Sequence, residues 1–61
     1  MNLYYVVTYN WDHNEYRRFI VTAETRDFAA DRAIEQTWPT QRLHKISLIR
    51  ENVDFEHLQQ L

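Results

Sequence analysis

The sequence predicts an α+β fold: a three-stranded antiparallel sheet in the order 2-1-3, with one helix on one face. Three observations predict it. Two β-branched, aromatic runs, Leu3–Tyr9 (LYYVVTY) and Tyr16–Ala23 (YRRFIVTA), flank a segment rich in Asn and Asp. A helix-start signal follows at Glu24-Thr25-Arg26-Asp27, and a stop at Trp38-Pro39. A third strand-like run, Arg42–Arg50 (RLHKISLIR), comes next.

Each element has its own local reason. Valine, isoleucine, tyrosine and phenylalanine suit a pleated, half-buried surface, so both early runs read as strands. Between them, Asn10-Trp11-Asp12-His13-Asn14-Glu15 supplies turn residues in a chain with no glycine. Asn and Asp tolerate left-handed backbone and bond to nearby N–H groups, so this pair of runs reads as a hairpin. Thr25 is the expected N-cap, and Asp27 places a carboxylate where the helix dipole favours it. The helix is expected to run to about Thr37, since the residue before a proline avoids helical backbone. Residues 1–50 form the expected domain. Residues 51–61 read as a polar tail or a short terminal helix, with Phe55, Leu58 and Leu61 at a spacing of three.

A right-handed crossover from strand two through the helix lays strand three beside strand one. The expected inward helix positions, Ala29, Ala30, Ala33 and Thr37, are mostly small. They face bulky strand residues, expected to be Tyr5, Val7, Phe19, Val21 and Ile46. Tyr4, Val6 and Ile20, with Leu43 or Ile49, are then expected on the face the helix leaves open. An apolar face of that size calls for a cover, either the C-terminal segment or another protein.

Composition narrows the function. Sixty-one residues make one domain, burying only about 60% of the surface an unfolded chain of that size exposes. There is no cysteine, hence no disulfide and no thiolate nucleophile or ligand. No apolar run approaches the ~20 residues of a membrane span, and Met1-Asn2-Leu3-Tyr4 lacks a signal peptide's basic start, so a cytoplasmic location is expected. A net charge of −2 argues against sequence-independent binding to nucleic acid.

Catalytic chemistry finds little footing. Phosphate-cradling loops and nucleophile elbows need glycine, and Ser47 stands alone in mid-strand. His13, His44 and His57 lie on three different segments without metal-ligand spacing. No enzyme activity, cofactor or metal is expected. Asp27, Asp31 and Glu35 recur every four residues and make one acidic stripe on the helix, a solvated face or a ridge that docks on a basic groove. Arg42, Lys45 and Arg50, with Arg17 and Arg18, interleave with Tyr4, Trp11 and Tyr16. These are either ordinary cross-strand charges or a base-stacking surface.

Ala23-Glu24-Thr25, Ala29, Ala33, Pro39, a last strand ending in Arg50 and the aromatic hairpin before them resemble the small inhibitor of host RNA polymerase made by T-odd phages. The resemblance spans residues 4–50. It implies a ββαβ domain without enzymatic activity that binds the jaw of the polymerase largest subunit and blocks initiation. Those inhibitors depend on two arginines alternating along the last strand and on an acidic strip. With the loop after Pro39 aligned by a shift, Arg50 takes the place of the second arginine and Leu48 that of the first; without the shift, Ile46 and Leu48 stand in those two places. Glu24 and Asp27 fall on acidic positions. The expected partner-binding residues are therefore Arg50, Glu24, Asp27, Asp31, Glu35, Tyr4, Val6 and Ile20. The expected function is inhibition of a bacterial RNA polymerase by surface docking in a host cytoplasm. The alternatives are an inhibitor of a bacterial defence complex of the anti-CRISPR kind, a self-assembling accessory protein that pairs with its own copy, and a nucleic-acid-binding module.

Overall fold

A computed structural model describes residues 1–36 and 39–61. The chain order is β1 (Asn2–Asn10), β2 (Glu15–Ala23), α1 (Arg26–Glu35), β3 (Gln41–Arg50) and β4 (Leu58–Gln60). The sheet is antiparallel throughout, in the order β3-β1-β2-β4. The expected 2-1-3 arrangement is thus present, with a fourth strand added at the free edge of β2.

The β1–β2 hairpin closes through residues 11–14, with Asn10 opposite Glu15. Asn14 takes a positive φ of 50°, a conformation that asparagine tolerates better than most residues. Asn10 is fully buried, and its Oδ1 accepts from the backbone N–H of Asp12 (3.0 Å) and His13 (3.3 Å) and from the Thr40 hydroxyl (2.9 Å). One side chain thus shapes the turn and ties it to the entry of β3.

Helix α1 begins as the sequence predicts: the Thr25 hydroxyl accepts from Phe28 N–H at 3.3 Å, and Asp27 lies in the first turn. It ends at Glu35, with Gln36 as its C-cap, short of the expected Thr37; Thr37 and Trp38 fall outside the described residues, as do the expectations placed on them. Ala29 and Ala33 are fully buried, so the helix backbone lies close on the sheet. Tyr4, Val6, Phe19, Val21 and Ala23 fill the space beneath it, with Ile46 packed against them.

That core corrects the phase expected for β1. Tyr4 and Val6 are 4% and 0% exposed and face the helix, while Tyr5 and Val7 lie on the opposite face. The cause is register. Four residues between the strands set Tyr4 opposite Val21 and Val6 opposite Phe19, and directly opposed residues share a face. With Phe19 and Val21 inward, as expected, Tyr4 and Val6 must be inward too. Leu43 also changes side, because it sits opposite Thr8, a buried residue of the helix-facing row.

The C-terminal segment is neither a loose tail nor a helix. It leaves β3 at one edge of the sheet and reaches β2 at the other, passing the ends of β1 and β2 on the way. Val53 is buried and its N–H donates to Met1 O at 2.8 Å. His57 then bridges to Thr22 twice: its N–H donates to the Thr22 hydroxyl (2.9 Å), and its carbonyl accepts from Thr22 N–H (2.9 Å). Thr22 has no exposed surface, so these bonds are sheltered from competing water.

Candidate functional site

The strands and the helix divide the charges between them. The strands hold five of the seven basic side chains (Arg17, Arg18, Arg42, Lys45, Arg50) and one of the nine acidic ones, Glu15. Glu15 and Arg17 lie opposite Asn10 and Thr8, on the helix-facing side, with 3.5 Å between Glu15 Oε1 and Arg17 Nε. Asp27, Asp31 and Glu35 are all exposed along one stripe of α1. No ion pair engages them among the described residues. Arg32, next to Asp31 in sequence, is turned toward the sheet, where its Nη1 donates to Thr22 O at 2.7 Å, while Arg26 is exposed beside Asp27 and makes no ion pair with it. Phe28, in the first turn beside Asp27, is 60% exposed. The helix therefore presents a carboxylate ridge with a bare aromatic ring beside it, a feature the spacing of the acids alone does not reveal.

The remaining expected site residues are scattered. Glu24 is exposed ahead of the helix, 3.9 Å from the Met1 amino nitrogen. Arg50 is exposed at the end of β3, opposite Leu3, next to an irregularity in the β1–β3 register. Ile20 is on the open face as expected, half-buried between Tyr5 and Gln59. Tyr4 and Val6 are core residues and offer a partner no surface. The structure thus brings together the three helix carboxylates and leaves Arg50 and Ile20 apart from them.

The open face carries a feature that counting apolar residues passes over. Tyr5, Val7, Tyr16, Arg18, His44 and Lys45 line a shallow depression of about 310 Å³. Tyr9 and Tyr16 stand opposite each other with ring centroids 5.0 Å apart, and Tyr16 meets the His44 ring edge-on at 4.8 Å. The Arg42 guanidinium lies 5.3 Å from the Tyr9 centroid. Val7 is only 6% exposed, flanked by Arg18 on β2 and Lys45 on β3. Long basic side chains can cover an apolar neighbour with their stems and keep their charged heads in water. The signal was present in the sequence as Tyr9 and Tyr16, both needing the same face once the loop length is fixed.

Among the described residues, no group of three His, Asp or Glu side chains could hold a metal ion, and no helix is long and apolar enough to cross a membrane. Compared with protein-family models, curated proteins and solved structures, the chain matches none.

Proposed function

We propose that the protein acts without catalysis, by docking on a bacterial RNA polymerase through the carboxylate ridge of α1 and inhibiting transcription. The observation that carries the docking part of this reading is the ridge itself: Asp27, Asp31 and Glu35 exposed in one line, unpaired by any cation among the described residues, beside the exposed ring of Phe28. With Arg32 turned to the sheet and no ion pair to Arg26, the three carboxylates outnumber the one exposed cation of the helix and leave the ridge acidic. Opposite charge on a partner then steers encounter and fixes register, and an aromatic ring beside it supplies apolar contact. The choice of polymerase rests on the resemblance of residues 4–50 to the phage inhibitors, in which Glu24, Asp27 and Arg50 match recognition positions.

Promoter-directed transcription by purified bacterial RNA polymerase tests the reading. Added protein should lower run-off product in a dose-dependent way. Arg50→Glu and Asp27→Lys should each shift the inhibitory concentration upward. Undiminished transcription with the protein in large excess would refute the assignment.

A further inference from the structure

We infer that the open face of the sheet is a binding site for single-stranded nucleic acid. The inference stands on the face opposite the carboxylate ridge and does not depend on the polymerase reading.

The first support is charge. The side chains of this face include Arg18, Arg42 and Lys45, together with His44, and none of them is a carboxylate. The single strand-borne acid, Glu15, lies on the other side of the sheet beside Arg17. Neither Arg18 nor Lys45 has a carboxylate partner among the described residues. The chain is acidic in total, yet this face is locally cationic. A polyanion is drawn to it and repelled by the helix side, which orients the encounter.

The second support is what the cations surround. Tyr16 is 48% exposed and is held between Tyr9 and His44, so its ring is a braced platform rather than a loose side chain. The depression beneath it, lined by Tyr5 and Tyr16 with Arg18 and Lys45, falls at the lower end of the roughly 300–1,000 Å³ range of small-ligand clefts. A splayed base stacks on a tyrosine ring while its phosphates meet the two cations, the combination by which sheet surfaces hold single strands. A duplex hides its ring faces and cannot use such a platform. An acidic protein is the poorer fit, since the aliphatic residues of the centre, Val7 and Ile20, are buried or half-buried and leave little apolar area for a protein contact.

Fluorescence anisotropy of an end-labelled twelve-residue oligothymidine tests this, with the matching duplex and poly-glutamate as comparison ligands. The single strand should bind, and log affinity should fall with log salt at a slope of about −1.4, for two phosphates at about −0.7 each. Tyr16→Ala should weaken binding by the order of tenfold, as loss of one stacked base does. Arg18→Gln with Lys45→Gln should flatten the salt slope, leaving only what Arg42 contributes. Arg26→Gln, which removes a cation from the helix instead, should leave affinity and slope unchanged. Should Tyr16→Ala lower the melting temperature, Tyr16→Phe keeps the ring and must retain binding. Any of three results overturns the inference: no binding in 50 mM salt, equal binding of duplex and single strand, or displacement by poly-glutamate at equal charge with Tyr16→Ala silent.

Discussion

A carboxylate introduced at neighbouring positions of β1 should have opposite consequences, because Val6 and Tyr5 lie on opposite faces of one sheet. Val6 has no exposed surface and belongs to the cluster of Tyr4, Phe19, Val21, Ala29 and Ala33, which contains no cation. Val6→Asp forfeits the valine's burial, about 1.5–3 kcal/mol. It also strands a carboxyl group in the core, which costs several kcal/mol more whether it stays charged or takes up a proton. A core in a domain of this length rarely supplies more than about 3–5 kcal/mol, so the variant should be unfolded at room temperature. Tyr5→Asp instead places its carboxylate in the depression lined by Arg18 and Lys45, where charge is welcome. That variant should stay folded and bind oligothymidine far more weakly than the parent. Far-UV circular dichroism with thermal melting reads both. A folded Val6→Asp beside an unfolded Tyr5→Asp would refute the phase of β1 and the core built on it.

Two further outcomes follow from the helix. Ala33 is fully buried against the sheet, so Ala33→Leu should overpack the contact, cost roughly 1–3 kcal/mol and lower the melting temperature by several degrees; an unchanged melt would place Ala33 at the surface. Thr25→Ala removes the hydroxyl that caps Phe28 N–H and should cost about 0.5–2 kcal/mol, with hydrogen exchange quickening first in the opening turn of α1.

The hairpin, the capped helix start and the third strand are legible in the sequence because each rests on local chemistry: β-branched runs, and Thr25 ahead of Asp27. What escapes it is set over long range. Tyr4-Tyr5-Val6-Val7 has no alternation to reveal its phase, and Thr8 and Asn10, polar residues that suggest the wet side, are fully buried. Their phase could be fixed only by pairing with β2, where an even loop sets even positions opposite odd ones. β4 is three residues long, and His57 bonds to Thr22, 35 positions earlier, just before it pairs with β2; Leu58-Gln59-Gln60 carries no strand signature of its own. The acidic stripe was visible from its spacing of four. Its exposed Phe28 and its inward-turned Arg32 were not, since both depend on how the helix is rotated against the sheet.

The docking claim is tested most directly by the affinity of immobilised bacterial RNA polymerase for three proteins: the parent, the ridge reversal Asp27→Lys/Asp31→Lys/Glu35→Lys, and the open-face pair Arg18→Gln/Lys45→Gln. All three should be equally folded, because exposed charges contribute little to stability. The parent should bind, reversing the ridge should abolish binding by slowing association, and the open-face pair should retain it. Binding that survives the reversal unchanged would show that the helix carboxylates are not the docking surface.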